Sequence, residues 1–163
     1  MSTTLERVEQ YCGARDLTIV HRLGFGVHGS VFATQSHVNG KQSAIKSYER
    51  ETHYLRERDV YLRLRSLGVT NIRGSSVPQL LEYDDNLWLI EMTIVARPFV
   101  LDFAGAYLDH PPDFSEDVLA EWETEKREQF GTQWQDAKRI LNELELIGVY
   151  MADVNPGNIA FEE

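Results

Sequence analysis

Three glycines near the start of the chain form a pattern that suits contact with an anion. Gly24, Gly26 and Gly29 precede Val31 in a GxGxxGxV arrangement. Because glycine has no side chain, its backbone can lie close against a phosphate. A dinucleotide-binding turn would open a helix after the last glycine, whereas residues 30–34 (SVFAT) are strand formers. The pattern therefore predicts a β-hairpin whose backbone can lie over phosphates. The plainer alternative is a hairpin without a ligand, in which glycine is needed only for positive φ.

A lysine and a glutamate further along the chain are predicted to form a charged pair. Lys46 lies in the alternating run 43–48 (SAIKSY), and Glu57 lies in the helical pattern that follows. A buried ammonium group is costly without a carboxylate partner, which a helix packed on the strand can supply. The alternative is that Lys46 points outward from a strand edge, where lysines are common.

A polar loop near the end of the chain carries an aspartate and an asparagine. Asp153 and Asn158 are separated by a stretch that contains Pro156 and Gly157. A carboxylate can accept a proton from a hydroxyl or orient that hydroxyl, and an amide oxygen can bind Mg²⁺. The alternative is an ordinary turn, because Asp, Asn, Pro and Gly are the commonest turn residues.

Short strands and a few helices are predicted to position these residues. Strands are predicted at residues 17–23, 30–34, 43–48, 77–83 and 87–95. Helices are predicted at residues 51–67 and 99–108, from a cap at Ser115 to about Phe130, and from a cap at Thr132 to an end at Gly148. The first part of the chain is therefore rich in strands, and the second is mainly helical.

In their order along the chain, these patterns resemble the protein kinase-like family: a glycine-rich loop, a strand lysine, a helix glutamate and a catalytic loop. The resemblance runs from about Leu17 to Phe161. It implies an α+β, protein kinase-like fold in a single domain. Residues 15–95, approximately, would form a small antiparallel β-sheet N-lobe with one packed helix. The remainder, about 96–163, would be a truncated, mainly helical C-lobe.

The resemblance also implies roles for individual residues. The nucleotide-binding residues would be Leu23, Gly24, Gly26, Gly29, Val31, Ala44, Lys46, Ile90, Glu91, Met92 and Thr93. Lys46, held by Glu57, would neutralise phosphate charge, and Asp153 would position the substrate hydroxyl. ATP would be the cofactor, with Mg²⁺ held by Asn158. The implied reaction moves the γ-phosphate of ATP to a hydroxyl, expected to be a Ser or Thr of a protein.

Two departures from the family pattern leave a second function open. Met151-Ala152 stands where the family has His-Arg, and the sequence stops at Glu163, before an Asp-Phe-Gly motif. Mg²⁺ is therefore expected to be weakly held, since its sites normally include a carboxylate. The alternative function is a pseudokinase-type binding module that keeps the fold and acts by protein–protein interaction.

Charge excludes some partners. The 163 residues carry a net charge of −10, but residues 1–99 have 12 basic and 11 acidic side chains, whereas residues 100–163 have 4 and 15. Such an acidic second part repels nucleic acid and anionic membranes, so neither is expected as a partner. A nucleotide and a protein substrate or partner are expected, together with a homodimer formed through apolar surface left by the truncated lobe.

Cysteine and histidine usage narrows the compartment and the metal chemistry. The single cysteine, Cys12, cannot form an internal disulfide, and no apolar run approaches the length of a membrane helix. A cytoplasmic protein is expected. The five histidines show no metal-ligand spacing, so no zinc site is predicted, and His28 is expected at the exposed tip of the glycine loop.

Overall fold

The computed structural model describes residues 2–25 and 28–162. The chain divides into two compact units, a first unit of residues 1–68 and 78–94 and a second unit of residues 69–77 and 95–163. Helices and mostly antiparallel strand pairs occur together, so the predicted α+β class is confirmed. None of the helices in the described part is long and apolar enough to cross a membrane.

The elements are labelled in chain order. They are α1 (Thr4–Gly13), β1 (Leu17–Phe25), β2 (Gly29–Ser36), β3 (Gln42–Tyr48), α2 (Glu51–Ser66), β4 (Asn71–Ile72), β5 (Ser75–Ser76), β6 (Leu80–Asp84), β7 (Leu89–Met92), β8 (Phe99–Val100), β9 (Ala106–Leu108), α3 (Glu116–Phe130), α4 (Trp134–Leu146), β10 (Val149–Met151) and β11 (Ile159–Ala160). A 3₁₀ turn, Gly131–Gln133, joins α3 to α4.

The first unit is built on a five-stranded antiparallel sheet with the strand order β1-β2-β3-β7-β6. Its central strand, β3, is buried almost throughout. Successive side chains of a strand point to opposite faces, so each face of this sheet has its own set of residues. The two faces are covered by different helices.

Helix α1 packs on one face of this sheet. Its buried residues form a cluster with apolar residues of the strands: Val8, Tyr11, Cys12, Phe32, Ile45 and Leu89. The side chain of Arg7 donates hydrogen bonds to the backbone carbonyls of Tyr48 and Leu87. These contacts fix the N-terminal helix to the sheet through both apolar burial and hydrogen bonds.

Helix α2 contacts β3 and β6. Its buried residues recur at intervals of three or four, which is one face of a helix: Tyr54, Glu57, Val60, Tyr61 and Leu64. One member of this otherwise apolar stripe is a carboxylate, and it is fully buried. The predicted helix at residues 51–67 is thereby confirmed to within one residue at its end.

In the second unit, α4 contacts β10 and α3. Its buried face consists of Trp134, Ala137, Ile140, Leu141 and Leu144. A four-stranded sheet has the order β11-β8-β5-β4, and β9 pairs with β10. Residues 69–77 belong to this unit because β5 pairs with β8.

Some predicted elements are wrong. The helix predicted at residues 99–108 is instead the two short strands β8 and β9. Each finds its hydrogen-bond partners in strands distant in sequence, so tertiary pairing overrides the local pattern. Helix α1 was missed, although Thr3 and Glu6 form a capping box at its start.

Candidate functional site

The lysine singled out by the sequence lies on the face of the sheet opposite to α1. In the strand pairing, Lys46 lies beside Val31 on β2 and beside Ile90 on β7. Ala44 and Met92 form the next pair on the same face. The structure therefore brings together four apolar residues of the predicted nucleotide-binding set, Val31, Ala44, Ile90 and Met92, and the lysine predicted to neutralise phosphate charge.

Lys46 and Glu57 form a buried ion pair. The distance from Lys46 Nζ to Glu57 Oε1 is 2.7 Å, and the side chains are 9% and 0% exposed. The hydroxyl of Tyr48 donates a hydrogen bond to the same carboxylate oxygen. The predicted ion pair is thus formed within the first unit, and the alternative of an outward-pointing lysine is wrong.

Tyr48 is a member of this cluster that sequence reasoning missed. It lies two residues after Lys46 on β3, so both side chains are on the same face. The Lys46 ammonium group is also 5.2 Å from the centre of the Tyr48 ring. The spacing of the two residues was a usable signal, because alternate residues of a strand share a face.

Two of the three glycines belong to paired strands, Gly24 to β1 and Gly29 to β2. Gly29 pairs with Tyr48, and a Cβ on Gly29 would lie 2.3 Å from the carbonyl oxygen of Ser47. Gly24 has open space where its Cβ would be. Neither Gly24 nor Gly29 has a positive φ, so Gly29 is required by close strand approach and not by backbone conformation. Gly26 lies outside the described residues.

Leu23 differs from the other residues assigned to the base. It lies at a β-bulge, because the pairing of β1 with β2 shifts between Arg22 and Gly24. Its side chain is 45% exposed, whereas Ala44 and Ile90 are buried. An exposed leucine at the end of a strand is available to contact a ligand, although nothing in the strand register directs it to the face of Lys46.

Glu91 and Thr93, two further residues of the predicted nucleotide-binding set, have other bonds in the first unit. The carboxylate of Glu91 accepts hydrogen bonds from the hydroxyls of Tyr11 and Ser43, on the face covered by α1. The backbone N–H of Thr93 donates to the carbonyl of Gln79 at 3.0 Å. A ligand that used this N–H would have to displace that bond.

In the second unit, the polar loop is a network of short hydrogen bonds centred on Asn158. The buried amide of Asn158 donates to the Asp153 carbonyl at 2.7 Å, and its Oδ1 accepts the Asn155 N–H at 2.9 Å. Asn155 Oδ1 in turn accepts the N–H of Gly157 at 2.8 Å. The loop is therefore held in one conformation by its own side chains.

This network leaves the carboxylate of Asp153 at the exposed surface of the loop. The backbone of Gly105 approaches it closely, since a Cβ on Gly105 would lie 2.9 Å from Asp153 Cβ. An exposed, positioned carboxylate can orient a hydroxyl group or accept its proton. Asn158 has one remaining lone pair on Oδ1 for a metal ion.

Two histidines lie beside the glycine hairpin. The Nδ1 atoms of His28 and His53 are 3.2 Å apart, and both side chains are half-buried. Burial lowers the pKa of His53, and the positive charge of neighbouring groups lowers it further; these groups are His28, Arg50, Arg56 and Lys46. This end of the first unit is therefore rich in positive charge. His28 is not the exposed residue that the sequence predicted.

Among residues 2–25 and 28–162, no group of three or more His, Cys, Asp or Glu side chains is arranged to hold a metal ion. The sequence assigns one metal ligand, Asn158, and the Oδ1 atom of Asn158 already accepts one hydrogen bond.

No protein-family model matches the chain, and no curated protein matches it.

Proposed function

We propose that the chain is a minimal, protein kinase-like phosphotransferase that binds ATP and moves its γ-phosphate to a protein hydroxyl. The observation that carries the proposal is the buried ion pair between Lys46 and Glu57, on a five-stranded antiparallel sheet whose first two strands flank the glycine pattern. The chemistry of the residues supports it directly.

A buried ion pair is a poor source of stability, because taking two charges out of water costs about as much as their attraction returns. Its presence in an apolar helix stripe therefore favours a functional role. Lys46 is held in position by Glu57, and Glu57 is held by Tyr48. A lysine positioned in this way can neutralise the charge between two phosphates of a nucleotide.

The apolar residues on the same face suit a planar base. Val31 on β2, Ala44 on β3, and Ile90 and Met92 on β7 have apolar side chains on the same face as Lys46. In this proposal, they contact the adenine, and Leu23 contacts it from the bulge. On binding, the Thr93 N–H would give up its hydrogen bond to the Gln79 carbonyl and donate to the base instead.

In the same proposal, residues of the second unit carry out the transfer step. Asp153 orients the acceptor hydroxyl and takes its proton, and that hydroxyl oxygen bonds to the γ-phosphorus while the bond to the ADP oxygen breaks. Asn158 would contribute one neutral oxygen to Mg²⁺, through the lone pair of Oδ1 that the Asn155 N–H does not use. Mg²⁺ binding is therefore expected to be weak.

The first test is ATP binding by calorimetry, with and without Mg²⁺. The variant that carries both Lys46→Met and Glu57→Gln removes the two buried charges together, so that neither is left unpaired. We expect the wild-type protein to bind ATP and the double variant to bind it at least tenfold more weakly. Lys41→Met, which removes an exposed lysine before the same strand, is the matched control and should bind normally. Equal affinity of all three proteins would refute the nucleotide site.

The second test is transfer from γ-labelled ATP to the protein itself or to a generic protein substrate. Asp153→Ala should abolish transfer and leave ATP affinity nearly intact, because the carboxylate acts on the acceptor. Asp136→Ala, an exposed carboxylate on α4, is the control and should retain transfer. Full activity in Asp153→Ala would rule out its assigned role.

A binding module is the second candidate function. The Thr93 N–H already donates to Gln79, and Oδ1 of Asn158 already accepts one hydrogen bond. Both contacts favour a protein that keeps the fold without metal-assisted transfer. The two functions separate in the same experiments. ATP binding without any transfer, in the presence of saturating Mg²⁺, would favour the binding module.

A further inference from the structure

Helix α3 is packed against the second unit along its later turns only. The ring N–H of Trp122 donates a hydrogen bond to the Ala152 carbonyl, and Lys126 and Phe130 are buried. Leu119 belongs to the same stripe of the helix, because it precedes Trp122 by three residues and Lys126 by seven. Leu119 is nevertheless 51% exposed, so the stripe continues beyond the part that is covered.

Two further large apolar side chains lie in this uncovered stretch. Val118 is 45% exposed, and Phe114, directly before the Ser115 cap, is exposed as well. Every residue from 113 to 121 is exposed. Because helices in proteins gain most of their stability by burying an apolar face, the first turns of α3 present a face that a partner could bury.

The same stretch is acidic and has no compensating cations. Residues 113–125 include no lysine or arginine, and they carry the carboxylates of Asp113, Glu116, Asp117, Glu121, Glu123 and Glu125. In the described part of the chain, Glu116, Asp117 and Glu121 form no ion pair. Helical spacing places Glu121 and Glu116 on opposite sides of the strip formed by Val118 and Leu119. The apolar strip is therefore flanked by unpaired negative charge.

A shallow groove lies beside this strip on the outside of α3. It is lined by the small side chains of Ala120 and Thr124 and by the carboxylate-bearing side chains of Glu121, Glu125 and Glu128. The hydroxyl of Thr124 donates to the Ala120 carbonyl within the helix. A lysine or arginine side chain suits such a groove, because its aliphatic stem can lie on the small residues while its charge meets the carboxylates.

We propose that the α3 surface, formed by Phe114, Val118, Leu119 and this groove, docks a basic amphipathic helix of a partner protein. Apolar residues of the partner cover the exposed strip, and its cations enter the groove. Charge selects this occupant. A second copy that met the chain through the same surface would oppose carboxylates with carboxylates, and nucleic acid or an anionic membrane would oppose them with phosphates. The inference does not depend on the proposed nucleotide chemistry.

Two synthetic peptides test the proposal by calorimetry on the full chain. One is a basic amphipathic helix of leucine and lysine, and the other has the same composition in an order that gives no apolar face. The measurement is made at about 150 mM NaCl, where charges more than about 8 Å apart are largely screened. We expect one amphipathic peptide to bind per chain, at least tenfold more tightly than the reordered peptide.

Variants separate the apolar part of the surface from the charged part. Val118→Ser combined with Leu119→Ser should weaken binding of the amphipathic peptide at least tenfold. Leu146→Ser, which changes an exposed apolar residue at the end of α4, is the matched control and should bind normally.

Glu116→Gln combined with Glu121→Gln should weaken binding and reduce its dependence on salt. Asp136→Asn combined with Glu145→Gln removes the same charge from α4 and should have a smaller effect. Circular dichroism of each variant establishes that it is folded.

Several results would overturn the proposal: no binding of the amphipathic peptide, equal binding of the two peptides, or wild-type affinity in both α3 variants. Sedimentation of the chain alone tests the competing occupant. If the chain forms a dimer that dissociates when Val118 and Leu119 are replaced by serine, the surface binds a second copy and the proposal is wrong. Failure of ATP to bind would leave it standing, because no residue of the nucleotide site is involved.

Discussion

The side chains of Lys46, Glu57 and Tyr48 form the most informative residue-level cluster. Strand alternation in β3 predicts the position of Lys46, and the helical period of α2 predicts that of Glu57. Both positions could therefore be predicted from the sequence. What the patterns did not contain is the shared oxygen, Glu57 Oε1, which contacts both the ammonium group and the phenol. Such convergence depends on how the helix packs on the sheet.

The ion pair should show strong coupling in a double-mutant cycle. Lys46→Met leaves a buried carboxylate without its cation, which costs about 3–5 kcal/mol of unfolding free energy. Lys46→Met combined with Glu57→Gln removes both charges and should cost less than the single change. Urea unfolding of the wild type, both single variants and the double variant measures the coupling. Simple additivity of the two changes would contradict a direct interaction.

The buried thiol gives a residue-level prediction about pH. Burial raises the pKa of Cys12 to about 11, since the thiolate loses its hydration, and the nearby Glu91 carboxylate raises it further. In the folded chain, the rate of alkylation should therefore be low and should keep rising with pH up to about 10. In urea, the same thiol should titrate near its ordinary pKa of about 8.5 and react rapidly. Equal rates in the two states at pH 8.5 would show that Cys12 is not protected.

At the scale of elements, the strands around the glycine pattern are constrained by backbone approach. Gly29→Ala would place a methyl group 2.3 Å from the Ser47 carbonyl oxygen. Because this oxygen belongs to the backbone of β3, the strands must shift, at a cost of about 1–3 kcal/mol. Gly24→Ala is the matched control, since its Cβ meets open space. Thermal unfolding should show a clear loss for Gly29→Ala alone, and equal midpoints would exclude the close approach.

Long elements with a clear period were predictable, and short ones were not. Helix α2 has five buried positions at helical spacing, whereas β8 and β9 have two and three residues and no period to detect. Their conformation is set by partners distant in sequence, such as Ile159 for Val100 and Met151 for Ala106. Helix α1 begins with a recognisable capping box at Thr3 and Glu6, but its short apolar face gives little periodicity from which to predict a helix.

The candidate site shows the same division. Lys46 and Glu57 lie on neighbouring elements, and Asp153 and Asn158 lie in one loop, so local spacing was enough to group each pair. The contact between His28 and His53 requires the start of β2 to reach the first turn of α2. No pattern within the sequence records that approach.

At the scale of the whole molecule, charge separates the two units. The first unit has 10 basic and 11 acidic residues, a net charge of −1, and the second has 6 and 15, a net charge of −9. Much of the acidic excess lies on α3, whose side chains are mostly exposed. Self-repulsion is therefore concentrated in the second unit.

Salt should stabilise the second unit for this reason. Its ion pairs include Arg73–Glu143, Lys138–Glu123 and Arg139–Asp136, all at least a third exposed, and such pairs contribute about 0–1 kcal/mol each. Salt weakens these pairs, but it also screens repulsion among 15 acidic groups, and the excess charge makes screening the larger effect. Between about 10 and 150 mM NaCl, the Debye length falls from about 30 to 8 Å.

Trp88→Phe leaves two tryptophans, Trp122 and Trp134, both in the second unit, so its fluorescence reports on that unit. The urea midpoint measured in this variant should rise between the two salt concentrations. Replacing three exposed carboxylates of α3, Glu121, Glu125 and Glu128, by glutamine should raise the midpoint at low salt and reduce its salt dependence, because the charges being screened are then fewer. If the urea midpoint of Trp88→Phe falls as salt is added, the ion pairs outweigh the repulsion among the carboxylates.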